Sequence, residues 1–155
     1  MSNWKARRPK GTGKGFAFYY SHLGYFAEVV DARVTKDGIV IPHVWVAADI
    51  GKHVINPSGA LNQVRGAVID ALGQALGLAI TFEDGKAQQT NVHQYPVARN
   101  PMTPRIDVEF VITDNNPTGL GEPALPPAIP ALTSAIFDAT GKRVRSLPID
   151  LDSIA

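Results

Sequence analysis

The chain has 155 residues, enough for one domain and too few for two of ordinary size. Fifteen Lys and Arg against 14 Asp and Glu leave a net charge of +1, which excludes strong global attraction to nucleic acid or to acidic membranes. Cysteine is absent, and with it disulfides, thiolate metal sites, iron–sulfur ligation and a cysteine nucleophile within this chain. No apolar run approaches the roughly 18 residues of a membrane span, so no membrane span is expected. Arg7-Arg8 is followed by Pro9-Lys10-Gly11 and not by an apolar stretch, so a twin-arginine leader is not expected either.

Residues 1–14 hold Lys5, Arg7, Arg8, Lys10 and Lys14 with no acid. They read as a basic arm for a polyanion or as a solvated linker, and so small a patch beside a single Trp favours the linker. Gly11-Thr12-Gly13-Lys14-Gly15 suggests a phosphate cradle but lacks the spacing of either nucleotide fingerprint. Residues 15–20 (GFAFYY) predict a short buried strand, with Phe16 and Phe18 in the core. A second strand is expected over 25–35. Lys36-Asp37-Gly38 then signals a hairpin, and Trp45, also expected in the core, lies in a returning strand over 39–48. Pro42 cannot donate to a ladder and belongs at an edge or a bulge.

Asn56-Pro57-Ser58-Gly59 opens a helix predicted over 60–78, with an apolar stripe at Leu61, Val64, Val68, Leu72, Ala75 and Leu76. Gly66, Gly73 and Gly77 weaken it by about 1 kcal/mol each relative to Ala, which suggests close packing of another backbone or a ligand. Asp84-Gly85 marks a second hairpin, residues 91–103 are irregular, and 105–113 alternate as a half-exposed strand. A final helix is expected from Pro126 or Pro127 to Ala139, stopped at Gly141. The fold class is α+β, with mixed or antiparallel strands and two principal helices. The expected division is a basic linker or arm over 1–14, one domain over 15–149 and a tail over 150–155.

Few residues carry an obvious chemistry. His22, His43, His53 and His93 are scattered without metal-ligand spacing, and no nucleophile elbow is present. Gly119-Leu120-Gly121-Glu122-Pro123 differs: one carboxylate sits between a Gly-x-Gly approach and a Pro-rich helix entry. If buried, Glu122 would have a raised pKa and could serve as a base near neutrality; if exposed, it complements the positive end of the following helix.

Several segments, in order, resemble the C-terminal portion of the large, molybdopterin-binding subunit of the xanthine dehydrogenase and aldehyde oxidase family. They include Gly15-Phe16-Ala17-Phe18, Gly24-Tyr25-Phe26-Ala27-Glu28-Val29, Ala48-Asp49-Ile50-Gly51, Ile55-Asn56-Pro57, Gln63-Val64-Arg65-Gly66-Ala67, the Gly119 to Pro123 string and Thr140-Gly141-Lys142-Arg143-Val144-Arg145-Ser146-Leu147-Pro148. The chain is most like the bacterial isoquinoline 1-oxidoreductase beta-subunit type. The resemblance implies a fragment of a larger molybdenum-cofactor-binding domain and an oxidoreductase that hydroxylates an aldehyde or N-heterocycle with oxygen from water. Glu122 would be the catalytic base that takes a proton from the water-derived oxygen. Gln63 and Gly121 would contact the molybdenum–pterin cofactor. Arg65 stands where many relatives carry Glu, which alters a local ion pair and nothing catalytic. The implied partners are the remaining large-subunit segments, an iron–sulfur small subunit and a small-molecule substrate. The chain is thus expected to be a cut-out domain or one piece of a split enzyme. Alone it should be inactive, free of cofactor and homo-oligomeric. The competing expectation is a non-catalytic binding or assembly module that keeps the fold without cofactor. A cytoplasmic and a periplasmic parent are both compatible with this sequence.

Overall fold

The computed structural model describes residues 2–99 and 103–154. In chain order the strands are β1 (Thr12–Ser21), β2 (Gly24–Thr35), β3 (Gly38–Asp49), the two-residue β4 (Phe82–Glu83) and β5 (Lys86–Ala87), and β6 (Arg105–Phe110). Helix α1 (Pro57–Leu76) follows β3, and α2 (Leu125–Thr140) follows β6. The main sheet has the order β1-β2-β3-β6, with antiparallel hairpins from β1 to β3 and β6 parallel to β3. This is the expected α+β class with a mixed sheet. Among the described residues no helix is long and apolar enough to cross a membrane.

Local chemistry explains the element ends. Asn56 caps α1 by accepting the Gly59 N–H at 2.9 Å, so the helix begins at Pro57, three residues earlier than the apolar stripe suggests. Gly141 ends α2 in the left-handed region at φ 75° and donates its N–H to the Phe137 carbonyl at 2.8 Å. Arg143, just beyond, stacks its guanidinium 3.9 Å from the Phe137 ring centroid. Pro42 falls where the β2–β3 register shifts, between the Asp31–His43 and Arg33–Val40 pairs, so it sits in a bulge as expected. Asp84 and Gly85 both take positive φ and close the β4–β5 hairpin.

Strand alternation splits the sheet into two unlike faces. Phe26, Val30, Val44, Val46 and Ile106 point to one face and join a single core with Val64, Val68 and Leu72 of α1 and Ala131, Leu132, Ala135 and Ile136 of α2. On that face α2 lies against the backbone of β1. A Cβ on Gly15 would stand 1.8 Å from the Ala131 carbonyl oxygen, and one on Gly13 would stand 2.1 Å from that of Ala135. The Gly-rich run that suggested a phosphate cradle therefore serves helix packing. Gly73 makes ordinary contact with Ala98, and Gly77 with Pro96, whereas Gly66 faces open space.

The sequence expectation for residues 15–20 needs correcting. They form β1, but Phe16 is 53% exposed, Phe18 56% and Tyr20 50%. Gly13 and Gly15 occupy the helix side, which places the even-numbered aromatics on the opposite face, where no helix lies. Trp45 shares that face and is half-buried. An apolar run marks a strand but does not say whether both of its faces are covered.

Two charged groups are buried within this frame. Lys14 is closed in by Asp31 at 2.8 Å, by the Ser2 carbonyl at 2.6 Å and by the Trp45 ring 4.1 Å away. Arg8 pairs with Asp138 at 2.6 Å, so part of the basic N-terminal segment is tied to the domain. Glu28 is fully buried on the helix side, between Ala17 of β1 and Val46 of β3, and neither of its carboxylate oxygens has a hydrogen-bond partner. Desolvation pushes its carboxyl well above the usual range.

Two outcomes follow from this packing. Gly15→Ala should cost at least the upper part of the roughly 1–3 kcal/mol range of overpacking, because the added atom meets helix backbone, which cannot rotate away; urea denaturation checks this. The folded chain holds the Glu28 proton more tightly than the unfolded chain does. The stability this group contributes is therefore fully present below the unfolded carboxyl value of about 4.3 and falls as pH rises toward the raised folded value, by up to about 1.4 kcal/mol per pH unit. Glu28→Gln should remove that slope and be more stable than the parent at pH 8, with the difference shrinking toward pH 4. Parallel stability curves for the two proteins would refute the assignment.

Candidate functional site

The candidate residues gather at the end of the sheet where three connections meet. The first is the β1–β2 turn, in which His22 and Leu23 take positive φ. The second, residues 50–56, leads from β3 into α1. The third, residues 111–124, leads from β6 into α2. The last two run side by side, tied by the Lys52 N–H to the Asn115 carbonyl at 3.0 Å and the Thr118 N–H to the Ile50 carbonyl at 3.1 Å. The Thr118 hydroxyl donates to the His22 carbonyl and brings in the first connection. Gly51 makes the crossing possible: it sits at φ 96°, and a Cβ there would stand 2.5 Å from the Asn116 carbonyl oxygen.

Asp49 organises the junction. It accepts the Gly51 N–H at 2.9 Å, the Thr113 hydroxyl at 2.8 Å and the Asn115 amide at 3.0 Å. Partial desolvation pushes its carboxyl up, but these three donors outweigh that and hold it below the usual carboxylate range. It is thus a fixed anion that pins both loops.

Between the two loops and the first turns of α1 lies a cleft of about 320 Å³. Gln63 and Gly121 both line it, from separate segments of the chain. Ile50 and Leu120 give it apolar walls, and His53, Asn56 and Thr118 add polar atoms. Gln63 is exposed on the second turn of α1. Glu122 follows Gly121 directly and is also exposed; its backbone carbonyl accepts the Leu125 N–H at 2.8 Å, which anchors the residue to the start of α2. Pro123 and Ala124 behind it are buried. Gly119 and Gly121 face open space, so nothing in this chain requires their missing side chains. The structure thus brings Gln63 and Gly121 to one cleft and puts Glu122 next to it, unburied. The sequence did not single out His53 and Thr118 as cleft residues, because neither belongs to a spaced motif. Asn56 stands out in the sequence as a helix opener and as part of the Ile55-Asn56-Pro57 segment of the family resemblance. Among the described residues no three His, Asp or Glu side chains cluster as a metal-ligand set.

Residues 1–104 match the Molybdopterin cofactor-binding domain family. The chain is similar to the beta chain of the isoquinoline 1-oxidoreductase of Brevundimonas diminuta, with 33% identity over 96% of this chain and 20% of that protein. It is similar to one component of the nicotinate dehydrogenase of Pseudomonas putida, with 32% identity over 92% of this chain and 13% of that protein. The chain therefore spans a fifth or less of the length of these relatives. In fold it is similar to the aldehyde oxidoreductase of Desulfovibrio desulfuricans, at TM-score 0.75 and 24% identity over 84% of this chain and 15% of that one. It is also similar to the quinoline 2-oxidoreductase of Pseudomonas putida 86, at TM-score 0.72 and 24% identity over 84% of this chain and 18% of that one. The two-helix, mixed-sheet scaffold that sets Gln63 and Gly121 around one cleft is thus a known one, and by the match over residues 1–104 the chain belongs to the molybdopterin cofactor-binding domain family.

Proposed function

We propose that this chain is the C-terminal, cofactor-contacting portion of the molybdenum-binding subunit of a hydroxylase that oxidises an aldehyde or N-heterocycle with oxygen from water. The observation that carries the reading is the meeting of Gln63 and Gly121 in one cleft, with Glu122 beside it. The substrate class comes from the relatives, whose names record isoquinoline, nicotinate and aldehyde as substrates. The remaining large-subunit segments and an iron–sulfur small subunit are the proposed partners, since this cysteine-free chain has no ligands for a cluster.

The donor set suits a molybdenum–pterin cofactor. Gln63 offers an amide donor and acceptor in one plane, which matches a pterin edge or its phosphate. The capped N-terminus of α1 adds a positive end on the same side of the cleft. The open space at Gly121 lets a bulky group approach the backbone. When bound, the cofactor supplies the transfer of water-derived oxygen to an electron-poor carbon and takes up the electrons released. The chain's own residues have narrower tasks. Gln63 holds the cofactor, Gly121 makes room for it, and Ile50 and Leu120 keep one wall dry. Glu122 accepts a proton at a carboxylate oxygen, as a general base. Its exposure in this chain means that the enclosure such a base needs comes from the rest of the subunit. For the same reason a non-catalytic assembly role fits the chain in isolation.

In the assembled parent enzyme, Glu122→Gln should keep molybdenum and lose about 100-fold or more of turnover, the scale of a lost general base; near-normal turnover would sink the role. Gln63→Ala should lower molybdenum content more than the rate per bound molybdenum. Full occupancy with a reduced rate would make Gln63 a participant in the chemistry instead.

A further inference from the structure

The face of the sheet opposite the helices carries no helix among the described residues; the N-terminal segment lies over Lys14 at one end, and Thr113 and Asn115 hold Asp49 at the other. Strand pairing aligns Phe18, Ala27, Ala47 and Glu109 in one row across all four strands. Tyr25 packs against both Phe18 and Tyr20, with ring centroids 6.1 and 4.9 Å apart, so the β1 side of the row ends in a preformed aromatic wall. The middle of the row is two alanines. The other end is the exposed carboxylate of Glu109. Three strand spacings separate the walls, about 14 Å, which accommodates a helix of about 10–12 Å diameter. The covered face uses the same device: α2 seats where β1 carries glycine.

The charge beside the row is one-sided. Lys14 is paired with Asp31 and Arg105 with Asp107, and Asp107 also takes His43 at 2.8 Å; Arg33, exposed and without an ion pair among the described residues, lies at the far end of β2, away from the row. Arg105, hydrogen-bonded to Asp107, and then His43 hold that carboxyl below its usual range. Glu109 has no ion pair among the described residues, and Asp49, one pair further along β3, is held only by neutral donors. Next to the row the uncompensated charge is negative and lies on the β3–β6 side.

We propose that this face docks an amphipathic helix from the rest of the parent subunit, its apolar stripe over Ala27 and Ala47 and a Lys- or Arg-bearing flank toward Glu109. The proposal rests on the function proposed above, because the partner is taken to be the large-subunit sequence beyond this chain, and the chain spans a fifth or less of its relatives. A bare aromatic face of this kind is covered in a finished domain.

Photo-crosslinking tests it in the full-length parent subunit. A benzoyl-phenylalanine is placed at Phe18, with a control at Phe82 on the exposed β4–β5 hairpin, and the captured peptide is read by mass spectrometry. The expected product from Phe18 is one large-subunit peptide with helical apolar spacing and basic residues on one flank. Glu109→Lys should cut its yield about tenfold or more and Glu109→Gln less. Capture of a second copy of this chain, of a peptide without basic residues, or of nothing above the Phe82 control would overturn the proposal. Molybdenum is measured on the same samples. Correct capture without molybdenum would defeat the functional reading and leave the docking surface standing, whereas molybdenum without capture would do the reverse.

Discussion

At Gly13 and Gly15 the backbone of α2 rests on the backbone of β1, with no room for a single Cβ between them. Helix-on-sheet packing normally keeps the layers about 10 Å apart through intervening side chains. Here the glycines remove that spacer on one strand, while Phe26, Val30 and Val46 keep it on the next two. The helix is therefore fixed in height and in position along the strand. Its alanines at 131, 135 and 139 are the other half of the contact, since larger side chains would push it off the glycines.

That contact fixes the site. α2 starts at Leu125, and the Gly-Leu-Gly-Glu-Pro string is the last stretch before it, so wherever α2 is seated, Glu122 is delivered. The opposite wall of the cleft is set from β3, through Gly51 and the Asn56 cap of α1. Asp49 joins the two approaches by hydrogen bonds to both loops. Gln63 and Gly121 share a cleft because two helices on one face of one sheet begin at the same end of it.

The buried charges show how differently the two faces are built. On the open face Lys14 is surrounded by Asp31, a backbone carbonyl and an aromatic ring. On the helix face Glu28 has no such company, and the apolar layer around it favours the neutral acid. The open face tolerates ions because it is close to water. The helix face is already a finished core.

Much of this was legible in the sequence. The three-stranded meander, the Pro42 bulge, the Asp84-Gly85 turn and the end of α2 at Gly141 follow from backbone rules that act within a few residues: a missing N–H, a positive φ, an alternation of period two. Ordered motifs likewise pointed to the molybdopterin-binding family. The use of each face was not legible. Phe16 and Phe18 look like core residues in a string, and Gly13-Lys14-Gly15 looks like an anion cradle, until the pairing of β1 with β2 assigns every second residue to a side and α2 takes one of those sides. The covering of a strand face depends on elements more than a hundred residues away, and local propensity carries no term for it. The meeting of Gln63 with Gly121 has the same origin, in a crossover from β3 to a parallel β6 that only the assembled sheet defines.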